Sequence, residues 1–246
     1  MHLALDTSTT WTSIALVDDH EIVALDEVEG VNPGEDLVAR IDVLVRRSGI
    51  SRTQVDGIVV GVGPGPYTST RVGVAVARTL GLALGVSVVG VCSHDAVAAA
   101  FVAQSGQPDI GDFVVATDAR RREIYWARYD SDARRLVGPT VGKPADVIAD
   151  YRADVFVGNG LDRYPDLVQG EGVALAPEMH PCAQWIAVVA EDAMARGETV
   201  PTAQPELADH ASGASVPIDL AQRLFAPYPL YLRRPDAVPS AKVVAP

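Results

Sequence analysis

The chain has 246 residues, of which 48% are apolar and 21% charged, enough for a sizeable core and against wholesale disorder. Its net charge of −12 makes it a poor unaided grip for a phosphate backbone, whose affinity is mostly electrostatic, so any work on nucleic acid calls for a partner that supplies positive charge. No apolar run reaches the roughly 20 residues that span a bilayer, the start Met1-His2-Leu3 lacks a secretion signal's basic region, and Cys92 and Cys182 form no CxxC pair or disulfide framework. The expectation is a cytoplasmic protein without membrane contact. His2, His20, His94, His180 and His210 include no pair three or four apart, so there is no helical metal pair.

In chain order, Leu3–Leu5 is a strand ending at Asp6. Thr12–Val17 and Glu21–Val28 form a hairpin around Asp18-Asp19-His20. Asn32 caps a helix with Pro33 in its first turn; Leu37, Ile41 and Leu44 recur at helical spacing, and Gly49 stops it. Val55–Val62 is a near-continuous apolar run, predicting a strand covered on both faces. It ends in Gly63-Pro64-Gly65, after which an apolar helix runs over about 68–84. Val86–Val91 is a strand and Ser93–Gln104 a helix, with linker character at 106–108.

The second half repeats this order. Phe113–Thr117 is a strand ending at Asp118, and Glu123–Tyr129 and Leu136–Val141 complete a meander. Pro144–Tyr151 is a helix, Val155–Val157 a strand ending in Gly158-Asn159-Gly160, and Cys182–Arg196 an amphipathic helix. Each half thus reads strand to Asp, strand, strand, helix, strand to Gly-x-Gly, helix, an internal duplication seen in element order more than in residue identity. The expected division is residues 1–105, 106–198, a flexible Pro- and Ser-rich stretch at 199–229, and a tail at 230–246 with Leu230–Leu232 docking back.

Two strand-end aspartates, each opening a half, resemble the actin, sugar-kinase and Hsp70 architecture, in which such loops hold phosphates and metal. Those loops need glycine so that backbone N–H groups can approach phosphate. Here Asp6-Thr7-Ser8-Thr9-Thr10 and Asp118-Ala119-Arg120-Arg121-Arg122 contain none, so the plainer reading is that both aspartates cap loops. Gly63 and Gly65 open a helix N-terminus without a Walker lysine or a third Rossmann glycine, which favours a tight turn. Arg120 and Arg121 could meet a phosphate or an acidic partner, or simply be solvated. No Gly-x-Ser-x-Gly elbow supports a nucleophilic serine.

The helix over 68–84 is apolar nearly all round and should be buried. Gly73, Ala77 and Gly81 form a small-residue ridge that would admit a close helix, with Val72, Val76 and Leu80 beside it. Together with the 34–48 helix it offers a two-helix face to another subunit.

Three blocks carry a family resemblance: Asp6-Thr7-Ser8-Thr9 with Ser13 before the next strand, Gly63-Pro64-Gly65-Pro66-Tyr67-Thr68-Ser69-Thr70-Arg71-Val72-Gly73, and Asp118-Ala119-Arg120-Arg121-Arg122-Glu123-Ile124-Tyr125. With the ending Pro229-Leu230-Tyr231-Leu232-Arg233, they resemble the TsaB (YeaZ-type, glycoprotease-like) family of bacterial tRNA threonylcarbamoyladenosine biosynthesis, in order and over nearly the whole chain. Pro66, Ser69 and Arg122 depart from the serine and two glycines of the family pattern.

The resemblance implies an α/β fold of duplicated actin-like, ribonuclease H-like (ASKHA) subdomains, each a mixed sheet with flanking helices. It implies a non-catalytic scaffold that binds TsaD, the threonylcarbamoyltransferase, as a heterodimer, joined by the ATPase TsaE. ATP and metal would sit on those partners, with no cofactor here, and tRNA would be met only through the complex. The interface expected is Leu37, Ile41, Leu44, Arg71, Val72, Gly73, Val76, Ala77 and Leu80, so that Val76→Arg or Gly73→Arg would break the complex; the same helices could pair two copies in isolation. Alternatives are an actin-like ATPase or small-molecule kinase, and a peptidase.

Overall fold

The computed structural model describes residues 1–106, 110–152, 154–201 and 220–232. The chain opens with three antiparallel strands, β1 (His2–Asp6), β2 (Trp11–Asp18) and β3 (Glu21–Glu29). Helix α1 (Pro33–Ser48) starts where the Asn32 side chain accepts from the Gly34 N–H and stops at Gly49, whose φ of 73° is the left-handed value glycine adopts without steric cost. Then come β4 (Gly57–Gly61), α2 (Tyr67–Leu84), β5 (Ser87–Val91) and α3 (Ser93–Ser105). β4 is parallel to both β1 and β5 and buried along its whole length, as its apolar run predicts.

The second half supplies β6 (Phe113–Asp118), β7 (Ile124–Tyr129), β8 (Arg135–Gly142), α4 (Pro144–Asp150) and β9 (Val155–Val157). Elements that the sequence reading did not mark include a 3-10 turn at Arg52–Gln54, α5 (Pro165–Glu171), β10 (Ala174–Leu175) and, after α6 (Ala183–Ala195), β11 (Leu224–Phe225).

The duplication is a fact of topology. One sheet runs β11-β5-β4-β1-β2-β3 and the other β10-β9-β6-β7-β8. Apart from β11, both follow the same order, with a strand ending in aspartate at the centre, an antiparallel meander on one side and parallel strands on the other. The expected pair of mixed sheets with flanking helices is therefore the fold.

Alternation along the strands sorts the first sheet into two faces. Leu3, Leu5, Ile14, Leu16, Ile58 and Val60 face α1 and α2. Ala4, Ala15, Val17 and Val59 face the other way, onto Ala183, Ala187, Ala190 and Ala193 of α6. Small side chains on both surfaces let α6 lie close to the sheet.

Two expectations need correction. Chain order puts α6 with the second half, but in space it packs on the first sheet and on α3. The stretch expected to be flexible at 199–229 contains β11, which pairs antiparallel with β5 through Leu224↔Val91 and Phe225↔Gly90; residues 202–219 lie outside the described residues, as does the tail beyond 232. Leu230 does dock back, its N–H donating to the Val62 carbonyl at 2.7 Å, as an anchor and not a strand.

Candidate functional site

The loops after β1, β4 and β5 meet at Asp6. Ser8 donates to Asp6 Oδ1 from its N–H and its hydroxyl, both at 2.7 Å, and Ser93 Oγ donates to Oδ2 at 2.6 Å. Ser93 Oγ in turn accepts from the Gly63 N–H at 3.1 Å. Gly61 makes room for this knot, since a Cβ there would fall 1.8 Å from Asp6 Oδ2. Burial pushes the Asp6 carboxyl above its ordinary value even though three donors pull it down. The group is fully buried and spent on loop architecture.

The glycines expected to make tight turns do so by packing closely on the strand ends. A Cβ on Gly65 would lie 2.2 Å from the Ser8 carbonyl oxygen, and one on Gly160 would lie 2.8 Å from the Ala116 carbonyl carbon. In each half, the second glycine of Gly-x-Gly lets the loop lie on the end of the central strand. Thr7 Oγ1 donates to the Ser69 carbonyl at 2.7 Å, closing the first loop against α2.

Between the halves lies a cleft of about 500 Å³, lined by Ser8, Thr9, Thr10, Thr117, Asp118, Arg120, Asn159 and Arg163 together with Glu29, Asp162 and Glu178. Asp118 is half-buried where Asp6 is fully buried, with Arg120 and Arg163 at 3.4 and 3.5 Å from its Oδ2. Residues Arg120, Arg121 and Arg122 all take positive φ (61°, 56° and 63°), a left-handed turn at the position where Arg122 replaces the family's glycine. Burial, with Glu178 adding to it, raises the Asp162 carboxyl. Such acid crowding opposes a polyphosphate, and neither aspartate loop offers a glycine cradle.

A further constellation was not found from sequence. Ser13 lies inside β2, not before it, and its Oγ donates to Glu27 Oε1 at 2.9 Å. His180 Nε2 meets the same oxygen at 3.1 Å, and its ring stacks on Trp11 at 4.2 Å. Glu27 is drawn down to about 2, mainly by the His180 hydrogen bond, while burial pushes the adjacent Cys182 thiol up to about 12. The carboxylate sits between serine and histidine, so the imidazole is not placed to take the serine proton, and Cys182 is no thiolate. Residues 153 positions apart meet here, which no local pattern could announce.

The two-helix face differs from its expected make-up. Leu37, Ile41 and Leu44 of α1 and Gly73 and Ala77 of α2 are buried in the chain's own core. The small-residue ridge faces the sheet: a Cβ on Gly73 would lie 2.4 Å from Thr7 Oγ1, and one on Gly81 would lie 2.2 Å from a Val88 methyl. Of the expected contacts, Arg71 is exposed and Val72, Val76 and Leu80 are half-buried. Beside them Val38 is 56% and Leu82 87% exposed, although an all-round apolar helix was expected to be covered. A groove of about 710 Å³ runs between the helices, floored by Leu3, Val45, Val55 and Leu84.

This architecture defines a duplicated actin-like α/β protein whose central aspartate is sealed and whose apolar helices remain open. A family model described as TsaD: tRNA N6-adenosine threonylcarbamoyltransferase matches residues 32–203. An uncharacterised protein of Mycobacterium tuberculosis is 37% identical over 97% of this chain and 94% of its own length. The Escherichia coli protein named tRNA threonylcarbamoyladenosine biosynthesis protein TsaB is 28% identical over 80% of this chain and 89% of its own. Among solved structures, YeaZ from Pseudomonas aeruginosa superposes with a TM-score of 0.68 at 28% identity, covering 80% of this chain and 94% of that one. A protein described as similar to peptidase YeaZ reaches 0.71 at 26% identity, covering 94% and 99%. The chain belongs to this family, as a member of its TsaB/YeaZ type. Among the described residues, no helix is long and apolar enough to cross a membrane and no cluster of His, Cys, Asp or Glu is arranged to hold a metal.

Proposed function

We propose that this chain takes part in threonylcarbamoyladenosine biosynthesis on tRNA, as the subunit that binds and stabilises TsaD and performs no chemistry itself. The observation that carries the reading is the contrast between the two candidate sites. Asp6, at the end of the first central strand, is sealed beneath the cleft and consumed by Ser8 and Ser93, whereas α1 and α2 leave Val38, Leu82 and an apolar groove in water. Exposed apolar area of that kind gains by burial against a partner. TsaE joins the assembly, ATP and metal reside on the partner subunits, and tRNA is met through the complex, in the cytoplasm.

The test is light scattering on the purified chain alone and with the TsaD of the same organism, followed by threonylcarbamoylation assays with each subunit left out. A mixed dimer that replaces any homodimer, and tRNA modification that needs this chain, are expected. Absence of a complex under every nucleotide condition overturns the scaffold reading. Robust ATP turnover by the chain alone would favour the kinase-like alternative.

A further inference from the structure

The strap after β11 runs back along α2 and fixes two arginines on it. Tyr231 stacks on Tyr67 at 4.8 Å, the Arg71 guanidinium lies 3.6 Å from the Tyr67 ring centre and 5.2 Å from that of Tyr231, and Arg71 Nε donates to the Tyr231 hydroxyl. Further along, Arg78 sits 4.5 Å over the Tyr228 ring. The spacings match. Seven residues of helix advance about 10 Å, and three residues of extended chain around Pro229 advance about the same. The strap therefore runs antiparallel to α2 and offers one tyrosine to each arginine.

The charge pattern is as telling. The protein carries a net charge of −12, yet α2 contains no acidic residue, and neither does the strap over 220–232. Among the described residues, no carboxylate pairs with Arg71 or Arg78. Both are exposed, on the helical stripe Arg71, Ala75, Arg78, Leu82, on the side of α2 away from the groove, which α2 lines with Leu80, Ala83 and Leu84. A guanidinium held over an aromatic ring keeps its terminal Nη N–H groups available for a carboxylate, even where, as in Arg71, the Nε donates to a tyrosine hydroxyl, and stacking settles in advance part of the rotamer entropy that binding would otherwise cost.

We propose that Arg71 and Arg78, held by Tyr231, Tyr67 and Tyr228, are preset receptors for two carboxylates about 10 Å apart on the partner protein that docks on α1 and α2. This rests on the docking reading above and adds the partner's chemistry, an acidic surface flanking an apolar contact. A protein is favoured over RNA because two arginines on a strongly acidic chain give too few phosphate contacts for useful affinity.

The experiment is calorimetric titration of the full chain with the TsaD homologue of the same organism at rising salt. It compares the wild type, Arg71→Gln/Arg78→Gln, Tyr228→Leu/Tyr231→Leu and Val76→Arg, with circular dichroism melts to confirm that each variant folds. The arginine pair variant is expected to bind at least tenfold more weakly with most of the salt dependence gone, and the tyrosine pair a few-fold more weakly. If Val76→Arg abolishes binding but the arginine variant binds as wild type with unchanged salt dependence, the carboxylate inference is overturned and the docking reading stands. If the wild type binds nothing, the docking reading itself fails, and this inference with it. Labelled tRNA held by the wild type and released by the arginine variant, with protein binding unchanged, would overturn the protein partner in favour of RNA.

Discussion

Asp95 is the group whose loss should cost this fold most. It lies on α3, fully buried, and accepts from Arg135 Nε at 3.1 Å, Arg135 Nη2 at 2.5 Å and the Tyr129 hydroxyl at 2.7 Å. Arg223 Nη1 stands 3.5 Å away, and Arg135 Nη2 also donates to the Gln222 carbonyl at 3.3 Å. The cluster thus joins the first half, the second half and the strap. The side chains of Asp95 and Arg135 have no exposed surface, and among the described residues Arg135 Nη1 has no hydrogen-bond partner. Replacing one member leaves an uncompensated buried charge, at a cost of about 3–5 kcal/mol. Asp95→Asn should therefore lower stability by that amount in urea titrations, and the melting temperature by roughly 6–20 °C for a chain of this size. The quadruple variant Asp95→Leu/Arg135→Met/Arg223→Met/Tyr129→Phe removes the three charges and the orphaned hydroxyl together. It should return to within about 1 kcal/mol of wild type, because a desolvated ion pair contributes little over a well-packed apolar substitute. A loss under 1 kcal/mol for Asp95→Asn would refute the reasoning.

The other predictions concern the groups around this frame. Glu27 is held at about 2 against an ordinary 4.5, so its stabilisation is complete above about pH 4.5 and disappears as the pH falls through 2; after discounting for solvent, Glu27→Gln should remove about 1–2 kcal/mol from stability at pH 7 and flatten the acid limb of stability against pH. Gly73→Arg, an interface probe on sequence grounds, should instead fail to fold, because even a Cβ falls 2.4 Å from Thr7 Oγ1; Val76→Arg, at a half-buried position beside the core, should fold with a modestly lowered melting temperature and lose the partner, and light scattering separates the two. Cys92 and Cys182, both pushed up to about 12 by burial, should resist iodoacetamide at pH 8 until the protein unfolds. Fast labelling of the native protein would contradict the burial of Cys92 and the raised thiol of half-buried Cys182.

Much of the fold was legible in local pattern. The Asn32 cap and Gly49 stop bound α1, the apolar run gives β4, and Asp6 and Asp118 each end the central strand of a sheet. These follow from backbone chemistry and periodicity, which act within a few residues. The blocks shared with the TsaB family were equally visible, because they lie in the loops that knot the sheets.

What a residue's neighbours across the fold decide could not be read this way. Helical spacing marks Leu37, Ile41, Leu44, Gly73 and Ala77 as one apolar set, but only the sheet beneath α1 and α2 shows that they face inward while Val38 and Leu82 face water. The same holds for α6, carried by chain order with the second half and by its alanines onto the first sheet. Glu27 and His180, Asp95 and Arg135, and Arg78 and Tyr228 each join residues distant in the chain. Propensity and capping are local and live in the sequence, whereas burial and charge pairing depend on which surfaces meet, and that is settled only when the two halves and the strap close on one another.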